Sequence, residues 1–410
     1  MRILFLSQYF PPEVNAPASR VSELSKCWAE AGEGVTIITT FPNHPTGVVP
    51  EEYRGKGFQK EEVDGCTVLR TWIYVTPNSG FFKRVLSFLS FMISSIFAGV
   101  FRSGPCDVVI ATSPQIFAGF AGWVVSVFKR KPFVLEIRDL WPDSAIQLGI
   151  LRNSILIRLS RWLERFLYRK ATILVTVSKS IQEVLVHHKG DKENVLYLPN
   201  GIHPHFFAPG DRLNEKRNLI GVGDEFVVSY IGTHGLSHGL DRLVEAAHLL
   251  RERSDIHFLF IGDGAKKEDT LRKSRELALE KITFLPSEPK EDMPAWYAAS
   301  DVSIVSLLDL PIFTTAVPSK MFEVMACERP VLLIAKGEAA DLLDGSGGGV
   351  VLTDGTPEKI AATLLELAQD PRRCKSYGKA GREYVIAHFD RRKLASEYLA
   401  RLNERFDKRS

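Results

Sequence analysis

Cysteine is scarce: the 410 residues hold five, Cys27, Cys66, Cys106, Cys327 and Cys374, with no two at CxxC or metal-ligand spacing. That excludes a disulfide framework and a cysteine-built zinc site, and it fits a reducing compartment. Charge of one sign is also missing. The formal net charge is +3, so bulk charge gives no reason to expect nucleic acid as a partner. The opening MRILFLSQYFPP runs directly into Pro-Pro without a small-residue cleavage site. It reads as a buried strand of a cytoplasmic chain rather than a signal peptide. Long apolar runs are rare too. Val85–Phe101, flanked by Lys83, Arg84 and Arg102, falls short of the roughly 20 apolar residues a spanning helix needs. It reads as a cover for a sheet.

What is present is a folded composition, 45% hydrophobic and 25% charged, over a length that suits two α/β domains. Short apolar runs alternate with amphipathic stretches, the pattern of parallel sheets wrapped by helices. Strands are expected at Ile3–Ser7, Val35–Thr39, Cys66–Thr71, Val108–Thr112, Phe133–Ile137, Thr172–Val177 and Val195–Tyr197. A second series is expected at Phe226–Ile231, His257–Ile261, Ile282–Phe284, Val302–Val305, Val331–Ile334 and Gly349–Leu352. Periodicity stops over 203–225, where Pro, Gly and charge take over; this reads as a linker. The expected division is therefore 1–202, a linker at 203–225, 226–390, and a C-terminal helix within 391–410 that caps the second domain or returns to the first.

The stretch Arg152–Lys170 carries Arg152, Arg158, Arg161, Arg165, Arg169 and Lys170 against Glu164, with Ile155, Leu159, Trp162 and Phe166 at helical spacing. A basic amphipathic helix of this kind suits an anionic membrane surface. A plain sheet-covering helix with solvated arginines is the other reading.

In open parallel sheets, ligands bind beyond the carboxyl ends of the strands. Three turns of the second half qualify. Gly232-Thr233-His234-Gly235-Leu236-Ser237-His238-Gly239 has glycines that let a phosphate approach the backbone. It is not GxGxxG, and no acidic residue follows at ribose distance. Gly262-Asp263-Gly264 reads as a tight turn with Asp263 capping the next helix. In Val317-Pro318-Ser319-Lys320-Met321-Phe322-Glu323, Ser319 is placed to cap a helix and Lys320 to meet a diphosphate. Glu323, one turn along, is placed to accept from a ribose diol. The competing reading leaves Glu323 as a helix-dipole partner. In the first half, Glu136-Ile137-Arg138-Asp139-Leu140-Trp141-Pro142 ends a strongly apolar strand with charge, a site lining or a structural Arg–Asp pair. The loop Tyr9–Arg20, with Asn15 and Arg20, is the candidate acceptor contact.

These residues resemble the retaining glycosyltransferases of sequence family 4, over nearly the whole chain. The carriers are FLSQYFPP, EIRDLWPDSAIQLG, TVSKSIQEVL, LPNGIHPHFFAP, YIGTHGLSHGLDRLVEA, FIGDGA and VPSKMFEVMACERPVL. RDLWP, GLSHGL and VPSKMFE together are similar to the branch that adds N-acetyl-L-fucosamine in O-antigen or capsule assembly. The resemblance implies a GT-B fold, two Rossmann-like doubly wound domains facing across a cleft. It implies a donor diphosphate at Gly232, Thr233, Gly235 and His238 and at Ser319–Lys320, with Glu323 on the ribose and the base near Leu285–Ser287. It implies neither metal nor cofactor, with same-face attack assisted by the leaving phosphate. Arg138, Asp139 and Lys320 are then the catalytic candidates. Against the family pattern, Thr233 and His238 stand where Arg and Lys are usual, Thr315 where a first glutamate is, and Arg138 where His precedes the Asp. Thr314 and Thr315 would suit a deoxy or N-acetylated sugar.

The expected function is transfer of a hexosaminyl residue from a UDP-sugar to a lipid-linked saccharide acceptor. The place is the inner face of the plasma membrane, with no nucleic acid involved. A UDP-sugar 2-epimerase and a non-catalytic nucleotide-binding partner subunit are the alternatives.

Overall fold

The computed structural model describes residues 1–13, 15–43, 47–76, 81–113 and 116–406. Val14 of the acceptor-side loop and residues 407–410 of the C-terminal stretch lie outside the described residues. The chain forms two compact units, Met1–Asn200 with Arg391–Ser410, and Gly201–Asp390.

The first unit holds strands β1 (Arg2–Leu6), β2 (Gly34–Thr40), β3 (Phe58–Val63), β4 (Cys66–Thr71), β5 (Val108–Thr112), β6 (Phe133–Ile137), β7 (Ile173–Thr176) and β8 (Val195–Tyr197). Its helices are α1 (Ala16–Glu30), α2 (Phe81–Phe101), α3 (Ile116–Lys129), α4 (Asp143–Gln147), α5 (Ser154–Lys170) and α6 (Lys179–Lys189). The sheet runs β3-β4-β2-β1-β5-β6-β7-β8, so strand order reverses beside β1. All pairings are parallel except β3 with β4. Strand β3 escaped sequence reading because its polar alternation, FQKEEV, suits an edge strand with one wet face. The parallel strands are instead continuous apolar runs buried on both sides. Leu4, Leu6, Val109 and Ala111 face α2, α3, α5 and α6, while Ile3, Phe5 and Ile110 face α1 and the C-terminal helix.

The second unit holds β9 (Phe226–Ile231), β10 (Ile256–Ile261), β11 (Ile282–Leu285), β12 (Val302–Ser306), β13 (Val331–Ile334) and β14 (Gly349–Leu352). Its helices are α7 (Glu215–Leu219), α8 (Asp241–Leu249), α9 (Lys267–Glu276), α10 (Met293–Ala299), α11 (Lys320–Ala326), α12 (Glu338–Ser346), α13 (Pro357–Gln369) and α14 (Pro371–His388). All its strands are parallel in the order β11-β10-β9-β12-β13-β14. The reversal falls between β9 and β12, where a doubly wound sheet opens its crevice.

One boundary expectation changes and one open alternative is resolved. Residues 203–225 are no linker but part of the second unit. Phe207 and Val222 enter its core, and buried Arg217 pairs with Asp301 at 2.5 Å. Their polar composition hides an anchoring function that only the tertiary contacts reveal. The last helix, α15 (Arg391–Phe406), packs in the first unit. Trp28 Nε1 donates to Ala395 O at 2.9 Å, Tyr398 meets the Trp28 ring edge-on at 5.3 Å, and Arg391 pairs with Glu23. Helix α2 reaches 21 residues, longer than its apolar run suggested, because Phe81–Arg84 continue it. Its Lys83–Phe101 span is long and apolar enough to cross a membrane, and only 28% of it is buried.

Candidate active site

In the second unit the site grows from the turn after β9. Gly262 shows why small residues are required here. It has φ +143°, and a Cβ on it would stand 1.9 Å from Gly232 O, so the turns after β9 and β10 touch through backbone. The loop is pinned on two sides. His234 N–H donates to Asp263 O at 2.9 Å and Leu308 N–H to Ser237 O at 2.8 Å, while Ser306 Oγ donates to His238 O at 2.6 Å.

Over this turn lies Lys320. Its Nζ is buried, has no hydrogen-bond partner, and sits 3.9 Å from the Tyr230 ring centre. A Cβ on Gly232 would stand 3.4 Å from that Nζ, so the glycine keeps the approach to the ammonium open. Burial pushes the Lys320 amine down to about 7, against the pull of Glu323. The neighbouring imidazoles stay neutral. Burial, then Lys267 and Lys320, press His234 to about 4, and burial followed by Lys320 presses His238 to about 3. His234 is fully buried with both ring nitrogens unpartnered. Cation–π attraction compensates Lys320 only in part, since it is worth roughly 0.5–2 kcal/mol. A buried unpaired ammonium costs several kcal/mol. The arrangement therefore favours an anion, with neutral ring N–H groups available as further donors.

Glu323 faces a different partner. Tyr297 O–H donates to Glu323 Oε2 at 2.9 Å, and both burial and this carboxylate hold the Tyr297 phenol far above its usual range. The Ser319 expectation needs correction. Ser319 already has helical dihedrals and its side chain caps nothing; Phe322 N–H bonds to its backbone O at 3.0 Å. Asp263 does not cap α9 either, whose boundary residue is Lys266. It accepts from Lys267 Nζ at 2.7 Å and from Ser287 N–H at 2.7 Å. Leu285 O takes Lys267 Nζ at 3.1 Å, so backbone groups here are already engaged. Thr233 O accepts from Tyr230 O–H at 2.8 Å, and Gly235 lies against the His238 ring, 3.1 Å from a built Cβ to Nδ1. Thr315 and Thr314 spend their hydroxyl protons on Ile312 O at 2.9 Å and Pro311 O at 2.8 Å. Thr314 lines a separate cavity of about 130 Å³ with Arg242, Asp309 and Lys336.

In the first unit, Arg138 and Asp139 follow β6. Arg138 N–H donates to Ser113 Oγ at 3.0 Å, while its Nε and Nη1 are buried without partners. Burial, then the like charge of Arg20, lower this guanidinium to about 10, so it stays a cation at neutral pH. The Asp139 side chain reaches solvent, and crowding by protein raises its carboxyl against the pull of Arg138. Arg20 is not an acceptor contact. It is 1% exposed and is held by Glu136 Oε1 at 3.4 Å, Leu198 O at 3.2 Å and Pro199 O at 3.1 Å. A conspicuous arginine at the end of a loop became a structural tie because α1 turns it inward. Asn15 caps α1, its Oδ1 accepting from Ala18 N–H at 2.9 Å, and its Nδ2 is buried without a partner.

Residues 15–201 match the family described as glycosyl transferase 4-like domain, and residues 225–370 match glycosyl transferases group 1. Each half of the chain thus matches a glycosyltransferase domain family, and the fold is that of the GT-B glycosyltransferases. It is 24% identical over 409 residues to WcaI of Escherichia coli (strain K12), named as a colanic acid biosynthesis glycosyl transferase, covering 97% of this chain and 99% of that one. Among solved structures, sucrose-phosphate synthase from Thermosynechococcus elongatus superposes with a TM-score of 0.76 at 18% identity, covering 99% of both chains. Anabaena HepE in complex with UDP-glucose follows at 0.73 and 17%, covering 98% of this chain and 100% of that one. At these identities the structural likeness establishes the fold of the glycosyltransferase, not its substrate.

Three residues of the described site were not singled out from sequence: Tyr230, His234 and Tyr297. Tyr230 ends a buried strand and Tyr297 lies in a buried helix, so each looks like core. Only His234, inside a glycine-rich turn, carried a readable signal.

Proposed function

We propose that the protein is a retaining glycosyltransferase of surface polysaccharide assembly. It moves a hexosaminyl residue (N-acetylated, deoxy sugars included) from a UDP-sugar to a lipid-linked saccharide at the inner membrane face. The observation that carries this reading is the buried, unpartnered Lys320 ammonium at the Gly232 turn. A diphosphate there gains a charge-assisted contact, and the same cation stabilises the charge that develops as the nucleotide leaves. The acceptor hydroxyl oxygen bonds to the anomeric carbon as the bond from that carbon to the phosphate oxygen breaks. The hydroxyl proton passes to the departing phosphate, on the same face. Thr315 in place of a carboxylate favours this route over a glutamate nucleophile at that position. Glu323, held by Tyr297, accepts from the ribose diol.

The occurrence of UDP-glucose in the HepE complex and the role named for WcaI support the donor class and the biosynthetic setting. The membrane reading is supported by α5, where Ile155 and Trp162 are 73% and 54% exposed beside Arg158, Arg161, Arg165 and Arg169.

A panel of UDP- and GDP-sugars assayed with lipid-linked acceptors tests the proposal in wild type, Glu323→Ala and Lys320→Ala. Transfer from a UDP-hexosamine is expected in wild type, with loss in both variants. Transfer unchanged in both would show that the donor lies elsewhere. Conversion of the donor without acceptor would instead identify an epimerase, and nucleotide binding without any turnover a binding subunit.

A further inference from the structure

We propose that the apolar groove along α2 holds the lipid chain of the acceptor, with the lipid's phosphate at the Lys83–Arg84 end. This rests on the lipid-linked acceptor proposed above and goes beyond it by assigning a site. The groove, open to solvent along its length, has a volume of about 850 Å³ between Phe58, Trp72, Tyr74, Leu86, Ile93 and Phe97. Ile93 is 65% exposed, and Trp72, Leu86 and Phe97 are each more than half exposed. Contiguous apolar exposure of this kind marks an interaction site. The concavity narrows the occupant. A groove of this volume has room for an extended hydrocarbon chain. A flat bilayer contact would need no such slot.

The rim is fixed. Ser90 Oγ accepts Tyr74 N–H at 2.8 Å and donates to Ser87 O at 2.7 Å, and Ser94 Oγ donates to Trp72 O at 2.7 Å. The serine hydroxyls along the groove are thus engaged, which leaves its middle lined mainly by apolar side chains. The same bonds set the direction. From Thr71, the last residue of β4, the chain passes Ser94 and then Ser90, so the start of α2 lies on the carboxyl side of the sheet. That edge also carries Asn15 and Asp139. Lys83 and Arg84, both exposed, stand there as partners for a phosphate, and an amphiphile with one anionic end matches this charge pattern. At the other end Arg102 lies 4.3 Å from the Phe58 ring centre and 5.8 Å from that of Phe97, closing the slot with a stacked guanidinium.

The test uses the full chain and monomeric farnesyl phosphate, followed by Trp72 fluorescence with Trp72→Phe as the signal control. Phosphatidylglycerol vesicles are the parallel ligand, in a flotation assay. Saturable farnesyl phosphate binding is expected, weakened at least tenfold by Ile93→Glu and several-fold by Lys83→Gln with Arg84→Gln. Ile93 is exposed, so an unchanged melting temperature confirms that the variant is folded. Transfer to a water-soluble acceptor analogue should persist in these variants. Absence of farnesyl phosphate binding, or binding indifferent to Ile93→Glu, would overturn the assignment. So would loss of vesicle flotation alone, which would make the groove a bilayer contact. Loss of a dimer on Ile93→Glu would make it a contact between copies of this chain. A wild type that binds farnesyl phosphate but transfers to no acceptor would instead sink the enzymatic reading while leaving the groove's ligand in place.

Discussion

The two units bury cations at the carboxyl edges of their sheets in opposite ways. In the first, Arg20 is enclosed with Glu136 and two backbone carbonyls and pins α1 to the sheet. In the second, Lys320 is enclosed with a tyrosine ring and two neutral histidines and has no hydrogen-bonded partner. A paired buried charge is structure. An unpaired one is held at a cost that only a ligand offsets. Both look alike in sequence, a basic residue near a helix start.

Replacing each cation by methionine draws the contrast most sharply. Lys320→Met should lower transfer by about 10²–10³-fold, the range for removing one group that stabilises developing charge, with an unchanged or slightly raised melting temperature. Arg20→Met leaves Glu136 buried without its partner and should cost about 3–5 kcal/mol, a fall of roughly 10 °C in a unit of this size. Thermal melts and initial rates on both variants decide it. A stability loss at Lys320 as large as at Arg20 would dissolve the distinction.

A smaller effect lies in pH. The Lys320 amine is pushed down to about 7 by burial, and a bound diphosphate raises it, so binding takes up a proton above pH 7. Affinity for UDP should therefore be greatest below pH 7 and fall by up to about tenfold per unit above it. Calorimetric titration at pH 6.5, 7.5 and 8.5 measures this, and Lys320→Arg, which stays charged, should flatten the dependence. A flat wild-type profile would mean the amine keeps its proton throughout. Smallest is Tyr297→Phe, which removes the O–H donor to Glu323. Several-fold higher KM for the nucleotide sugar with kcat nearly intact is expected, because Glu323 keeps its charge and loses a donor that orients it. An equal fall in kcat would give Tyr297 a different task.

Thirteen strands were readable as apolar runs because parallel strands buried on both faces cannot be anything else in a chain of this composition. The turns at Gly232 and Lys320 were readable for a related reason, since glycine and a lone cation after a strand answer a local demand. Strand β3, the anchoring of 203–225 and the identity of the Lys320 neighbours were not readable. Each depends on what lies across a sheet edge or under a helix, and local pattern does not encode that.

By itself, then, the sequence determined two doubly wound sheets, their glycine-rich edges and the residues that carry charge there, all consequences of short-range periodicity and backbone permissiveness. Tertiary structure alone decided which charges are spent. It enclosed Arg20 with a carboxylate, left Lys320 over Tyr230 with no hydrogen-bonded partner, bound Glu323 to Tyr297 and returned α15 to Trp28. Desolvation and pairing depend on partners far away along the chain, brought within a few ångströms only by the fold.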